Sequence, residues 1–161
     1  RAGTRQPARL MGAADTAVDA TRAPARAPSS VSAVTNTLAD VFIERLRQLA
    51  EWGVQSYPSL DSALVQRVQT LRDAGYPDRY AVGMVVRHHA MPRADDARDL
   101  CELRARTGHV SWVDILVEEV AEAIEAAALH GEGDELRAEV VQVAAVAVAW
   151  LEAIDARAAG R

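Results

Sequence analysis

The sequence lacks lysine altogether, has a single cysteine and is poor in aromatic residues. All 18 basic residues are arginine, and we interpret this as a bias of genomic composition and not as a sign of function. With Cys101 alone, no disulfide can form within the chain, and the sequence fits a reducing compartment such as the cytoplasm. Because aromatic residues make up only 4% of the chain, Ala, Val and Leu must build the core. That composition favours packed helices.

Several kinds of segment are also missing, and each absence excludes a class of protein. No hydrophobic run approaches the roughly 20 residues that cross a bilayer, so no membrane partner is expected. There is no Gly-rich phosphate loop, nucleophile motif or zinc-ligand spacing. The net charge is −5, and the chain beyond residue 34 has 13 arginines against 21 acidic residues, a balance of −8. An acidic body argues against a nucleic acid polymer as partner.

The predicted organisation is a disordered tail at residues 1–34 followed by one all-α domain at residues 35–158. The tail has scattered prolines, frequent Ser and Thr, and no hydrophobic period. The first helix should begin near Thr35 or Asn36, which are good N-caps. Hydrophobic residues at helical spacing predict that one stripe of this helix faces the core: Leu38, Phe42, Leu46 and Leu49.

Five more helices are indicated by caps and helix breakers. Asp61 and Ser111 are predicted N-caps, and Asp114 is placed to complete a capping box with Ser111. Gly131 and Gly133 form a short turn, so the last two helices should be an antiparallel hairpin. The expected fold is a helical bundle that ends in this hairpin. The five helices should cover about residues 62–73, 79–89, 94–107, 112–129 and 134–158.

A stripe of glutamates follows one side of the fifth helix. At about 100° per residue, Glu118, Glu122 and Glu125 lie within roughly 60° of one another, and Glu119 flanks Glu122. Like charges at this spacing repel each other. Taken by itself, such a stripe is most often a solvated face.

The last helix adds two polar residues in an apolar setting. Glu139 shares its side of the helix with leucine and valine, and Gln142 is the only polar residue of the run Val140 to Leu151. The hairpin lets both face the glutamate stripe. Converging carboxylates suit Mg²⁺ or Mn²⁺. The alternative is neutralisation of Glu139 by an arginine such as Arg137 or Arg104.

These patterns resemble a known family. Glu-Glu-x-x-Glu at 118–122 and Glu-x-x-Gln at 139–142 are similar to the Glu-Glu-x-x-Glu and Glu-x-x-Asp signature of the MazG-like all-α nucleoside triphosphate pyrophosphohydrolases. A second segment resembles the first helix and following loop of small actinobacterial and phage members. The resemblance covers roughly Leu38 to Asp155, with residues 60–93 as an insertion. That second segment reads Glu44-Arg45-x-Arg47-Gln48-x-x-x-Trp52-Gly53-x-Gln55-x-x-Pro58.

The resemblance implies an activity and a set of ligands. Family members hydrolyse nucleoside triphosphates to the monophosphate and pyrophosphate with Mg²⁺. Glu119, Glu122 and Glu139 would be metal ligands, and Glu118 a ligand or the group that orients the attacking water. Gln142 stands at the family's final aspartate position as a ligand without charge. The site is therefore either a variant of the family's or a degraded one, and the alternative function is a non-catalytic nucleotide-sensing or oligomerising module.

The resemblance also implies substrate contacts and an oligomer. Trp52 and Gln55 would shape the base pocket, although a Trp at a helix end is as often part of the core. Arg45 and Arg47 would meet substrate phosphates, unless they lie on a solvated face or pair with Glu44 or Glu51. Because the hydrophobic last helix is hard to cover within one chain, a homodimer or a dimer of dimers is expected.

Overall fold

A computed structural model describes residues 30–160, and this part of the chain forms helices and turns without any strand. The predicted all-α fold is confirmed. Most of the predicted tail lies outside the described residues, but the first helix begins several residues before Thr35. The six helices of the described part are α1 Ser30–Trp52, α2 Ser62–Asp73, α3 Asp78–His88, α4 Ala94–Arg106, α5 Trp112–His130 and α6 Asp134–Ala159.

The predicted caps define the helix ends. Asp61 Oδ1 accepts a hydrogen bond from the Ala63 N–H at 2.8 Å, at the start of α2. Ser111 and Asp114 form the capping box of α5, in which each side chain accepts from the other residue's N–H. Gly131 ends α5 with φ 68, a conformation that glycine adopts without strain. Local sequence signals therefore set these boundaries.

Helix α5 is the centre of the bundle and packs on α2, α3, α4 and α6. The hairpin of α5 and α6 forms as predicted. The segment 60–93, which the resemblance treats as an insertion, contributes most of the larger core through α2 and α3. The buried residues of this core are Leu60, Val68, Ala81, Val82, Val85, Val86, Ala127 and Ala128.

A second, smaller core holds α4 against α5. It consists of the buried Ala94, Ala97 and Ala121, with Val117 packed beside them. Because these side chains are small, the two helices approach closely. The glutamates of α5 thereby come to lie beside the N-terminal half of α4.

Helix α1 packs on α6 alone among the described helices. The prediction that Leu38, Phe42, Leu46 and Leu49 face the core is wrong within one chain, since all four are exposed, Phe42 to 63%. Thr37 is 4% exposed instead. At about 100° per residue, Thr37 lies roughly 100–180° around α1 from the four residues of the hydrophobic stripe.

Helix α6 has no buried residue, although it lies in the hairpin. Val140, Val141, Leu151 and Ile154 are among its exposed hydrophobic side chains. Hydrophobic surface is thus left open on both α1 and α6. Within residues 30–160, no helix has the length and hydrophobicity needed to cross a membrane.

Candidate metal centre

Three carboxylates converge where α5 meets α6. Glu119 and Glu122 on α5 and Glu139 on α6 each offer one carboxylate oxygen, and these atoms all lie within 4.8 Å of one another. In an octahedral Mg²⁺ site with bonds of about 2.0–2.1 Å, opposite ligand oxygens are about 4.2 Å apart. The three oxygens are thus spaced so that small side-chain adjustments would let them share one ion. The structure brings together three of the four predicted ligands.

The glutamate stripe is not a solvated face. The side chains of Glu118 and Glu122 are only 20% and 19% exposed. Glu119 Oε2 is buried, and no hydrogen-bond partner for it lies among the described residues. A buried carboxylate oxygen without a partner is costly, because it has lost its hydration without replacement. A bound cation would remove that cost.

The pKa of Glu119 also favours a bound cation at the cluster. Burial raises the pKa of Glu119 above its usual range, and the neighbouring carboxylates of Glu122, Glu118 and Glu139 raise it further. Both causes disfavour the ionised form. Either a proton or a metal ion satisfies such a group, and a divalent ion would act on all the neighbouring carboxylates at once.

The cation that the structure does place at the cluster is Arg98 on α4. Its guanidinium forms an ion pair with Glu122 and a second with Glu118, where Nε and Oε1 are 3.6 Å apart. A third pair joins it to the exposed Asp95. One guanidinium beside the carboxylates of Glu118, Glu119, Glu122 and Glu139 leaves an excess of negative charge when all are ionised.

The two arginines considered from sequence are not the neutralising groups. Arg104 pairs with Asp114, and Arg137 is exposed and takes part in no ion pair within residues 30–160. Nothing in the local pattern around Arg98 indicates its contact with α5. The available signal was Ala94 and Ala97, whose small side chains allow the close packing of α4 on α5.

Glu125, at the end of the stripe, has a different role. Its Oε1 accepts a hydrogen bond from the Ala94 N–H at 2.8 Å. That N–H belongs to the first turn of α4, where helix N–H groups lack partners and negative charge is favoured. Glu125 therefore holds the start of α4 in place beside the cluster.

Gln142 lies one turn after Glu139 on α6 and is exposed. Its amide Nε2 is 3.4 Å from Glu139 Oε2 and donates a long hydrogen bond to it. The amide thus orients Glu139 and leaves its own carbonyl oxygen available as a neutral ligand. This arrangement fits a weaker fourth ligand in place of an aspartate.

The predicted substrate residues on α1 and in the loop after it do not join the cluster within one chain. Arg47 pairs with Glu44 and Glu51, at 2.8 and 2.7 Å, which is the alternative that the sequence left open. Arg45 donates to Gln48. Trp52 and Gln55 are exposed, so Trp52 is not a core residue here. Among the described residues, no hydrogen bond or ion pair links these four side chains to the cluster.

An apolar pocket of about 400 Å³ lies between α5 and α6 beside Glu139. Leu136 and Val143, which line it, are three and four residues from Glu139 and share its side of α6. This pocket could not be predicted from the sequence, because Ser59, Leu60 and His89 close it from outside the hairpin. Its other lining residues are Val120, Ala123, Ile124, Ala127 and Val140.

Comparison with protein-family models, with curated proteins and with solved structures gives no significant match in any of the three. The residues and geometry therefore define the class: an all-α protein with a carboxylate-rich candidate metal centre between two helices of a hairpin.

Proposed function

We propose that the protein is a Mg²⁺-dependent nucleoside triphosphate pyrophosphohydrolase that acts in the cytoplasm and releases a monophosphate and pyrophosphate. The observation that carries the proposal is the convergence of Glu119, Glu122 and Glu139 around a buried carboxylate oxygen without a partner. The choice of reaction rests on the resemblance of the two acidic motifs to those of the MazG-like family.

The donor set fits a hard cation. Glu119, Glu122 and Glu139 would hold Mg²⁺ or Mn²⁺, with Gln142 as a neutral fourth ligand. A bound ion of this kind screens the phosphate charge, polarises the α-phosphoryl group and lowers the pKa of a coordinated water. Carboxylate oxygens from two packed helices would give the site a fixed geometry.

The remaining residues supply proton transfer and phosphate contacts. Glu118 precedes Glu119 and pairs with Arg98 at the same place, so we assign it as the general base that accepts the proton of the attacking water. Arg98 presents a guanidinium at the same place. Since guanidinium groups match phosphate oxygens in geometry and charge, Arg98 is positioned to contact the triphosphate.

The apolar pocket beside Glu139 is the proposed site of the nucleoside. Its volume of about 400 Å³ lies within the range of small-molecule sites. Apolar walls next to a charged cluster suit a substrate with a flat base at one end and phosphates at the other. His89 and Ser59 provide polar atoms at the edge of the pocket.

The experiment is pyrophosphate release from a panel of ribo- and deoxynucleoside triphosphates with Mg²⁺. We expect turnover of at least one nucleotide and its loss in Glu122→Gln. The matched control is Glu135→Gln, an exposed glutamate on α6, which should retain the rate. Absence of turnover of every nucleotide by the unaltered protein would contradict the proposal.

A non-catalytic nucleotide sensor is the second candidate, and Gln142 favours it, because a neutral ligand weakens a metal site. The same panel separates the two: a sensor would show a nucleotide-dependent rise in melting temperature without pyrophosphate release. Gln142→Asp tests the residue directly. A large gain in rate would mark the natural site as degraded.

The proposed assembly is a homodimer, or a dimer of dimers, that forms through α1 and α6. The exposed stripe Leu38, Phe42, Leu46 and Leu49 runs along α1, which among the helices of residues 30–160 packs on α6 alone. A second copy of the chain offers the same hydrophobic stripe, so a two-fold contact would cover both at once. An amphipathic helix gains most of its stability from covering such a face.

A further inference from the structure

A group of arginines lines a pocket that shares no residue with the carboxylate cluster. Arg79, Tyr80, Gly83 and Arg87 on α3 and Arg93 just before α4 enclose about 280 Å³, and we name this the arginine pocket. We propose that the arginine pocket binds a phosphate group, as inorganic phosphate, as pyrophosphate or as the phosphate of a small phosphomonoester.

The geometry of α3 creates the pocket. Arg79, Gly83 and Arg87 are four residues apart and therefore lie on one side of the helix. A Cβ atom added at Gly83 would meet nothing within 4 Å, so the glycine leaves an open depression between the two arginines. The Arg79 guanidinium lies 5.9 Å from the centre of the Tyr80 ring, a cation–π contact that restrains it.

The charges of the arginine pocket are uncompensated within the described residues. Its lining includes no carboxylate, and Arg79, Arg87 and Arg93 take part in no ion pair within residues 30–160. Asp78, which precedes Arg79, pairs with Arg72 instead. Three guanidinium groups around one space repel each other unless an anion lies between them.

Arg93 has an N–H donor that the fold of residues 30–160 leaves unpaired. Its Nε is buried and has no hydrogen-bond partner among the described residues, although an N–H of this kind is costly to leave unpaired. Arg93 is also the N-cap residue of α4, a helix of 13 residues. The Ala94 N–H at this helix end already bonds Glu125 Oε1, so the attraction for an anion comes from the guanidinium groups and not from the α4 dipole.

The size of the pocket and the type of donor select the ligand. Guanidinium groups bind phosphate oxygens through paired N–H donors, and several of them suit an anion with more than one charge. At about 280 Å³ the space is smaller than the roughly 300–1,000 Å³ of sites that take drug-sized molecules. It suits phosphate or pyrophosphate with some water better than a whole nucleotide.

The test is isothermal titration of metal-free protein with phosphate, pyrophosphate and adenosine monophosphate, each at matched ionic strength and without chelator. Gly83→Glu places a carboxylate in the middle of the arginine pocket and should weaken binding by roughly tenfold or more. Gly83→Ala is the matched control, because it makes the same helix-favouring change without a charge and should bind as the unaltered protein does.

The variants keep the outcome independent of folding and of turnover. Both replacements favour a helix over glycine, so lost binding in Gly83→Glu cannot be ascribed to unfolding. Arg157→Gln, at the exposed end of α6, makes the net charge more negative by one, as Gly83→Glu does. It therefore controls for an effect of net charge on anion binding. If adenosine monophosphate binds as tightly as phosphate, the proposal is supported and the ligand is a phosphomonoester. Equal binding by Gly83→Glu and Gly83→Ala, or no binding of any of the three anions, would overturn it.

Discussion

Arg98 on α4 pairs with Glu122 on α5, and Glu122 is one of the two α5 carboxylates that converge with Glu139 on α6. The arginine and a metal ion would therefore make use of the same carboxylate. Within residues 30–160, no other arginine forms an ion pair with a glutamate of the cluster. Without metal, the Arg98–Glu122 ion pair stabilises the fold. Replacing Arg98 therefore changes the free energy of unfolding and the metal affinity of the carboxylates in different ways.

Replacement of Arg98 should have opposite effects on stability and on metal binding. Because Arg98 competes with the ion for Glu122, Arg98→Gln should bind Mn²⁺ more tightly. The loss of a half-buried ion pair should lower the free energy of unfolding without metal by about 1–2 kcal/mol. Urea denaturation and Mn²⁺ titration measure the two effects. Arg104→Gln, which loses the pair with Asp114, is the control that should leave Mn²⁺ affinity unchanged. Weaker Mn²⁺ binding by Arg98→Gln would contradict this competition.

Replacement of Glu119 should stabilise the metal-free protein at neutral pH. Burial and the neighbouring carboxylates raise the pKa of Glu119 above the unfolded value, so its ionisation costs stability as the pH rises through the folded pKa. Glu119→Gln avoids that cost. Its melting temperature without metal should exceed that of the unaltered protein at pH 7, and the difference should shrink toward pH 4.

Bound metal should reverse the order of the melting temperatures of the unaltered protein and Glu119→Gln. Saturating Mn²⁺ should raise the melting temperature of the unaltered protein and leave Glu119→Gln unchanged, since binding to the folded state alone is stabilising. Glu102→Gln, at an exposed glutamate on α4, is the control. A metal-free Glu119→Gln that melts below the unaltered protein at pH 7 would show that Glu119 makes a favourable contact as a carboxylate.

Cys101 should be a slow nucleophile. Burial, and after it the neighbouring Glu118 carboxylate, raise the pKa of the Cys101 thiol to about 12. At pH 8 only about one thiol in ten thousand is then ionised, and the thiolate is the reactive form. Reaction with a disulfide reagent should be far slower in the folded than in the urea-unfolded protein, and Glu118→Gln should speed it. Equal rates in the folded and unfolded protein would place Cys101 outside the packed region.

The hydrophobic stripe of α1 predicts the effect of a charge on assembly. Phe42→Glu should convert the homodimer to a monomer in sedimentation experiments, because a buried glutamate would face its own copy across the two-fold axis. Tyr57→Glu is the matched control, since Tyr57 is exposed in the loop after α1 and outside the stripe. A monomeric unaltered protein would exclude the dimer.

The helices could be predicted because their ends depend on neighbouring residues. Asp61, Ser111 and Gly131 act on N–H and C=O groups a few positions away, so the sequence suffices to place them. The meeting of Glu139 with Glu119 and Glu122 was predictable for a related reason. The short turn at Gly131 and Gly133 leaves α5 and α6 little choice of partner, and helical periodicity then decides which side chains face each other.

Contacts between distant segments could not be predicted in this way. The pairing of Arg98 with Glu122 depends on how α4 packs on α5, and the arginine pocket depends on the path of the chain between α3 and α4. Helical periodicity places the stripe of α1 in the core wrongly, because it shows that a face is apolar and not what covers that face. The segment 60–93 likewise revealed its part in the core only once α2 and α3 were placed against α5.

The most direct test of the carboxylate site is an electron paramagnetic resonance titration with Mn²⁺, whose free-ion spectrum disappears on binding. The unaltered protein should remove at least one ion per chain from the free signal. The double variant Glu119→Gln/Glu139→Gln should leave the signal as it is in buffer, while Glu102→Gln/Glu135→Gln, with the same change of charge, should still bind. A free Mn²⁺ signal that the unaltered protein does not reduce would contradict the metal site and the hydrolase proposed from it.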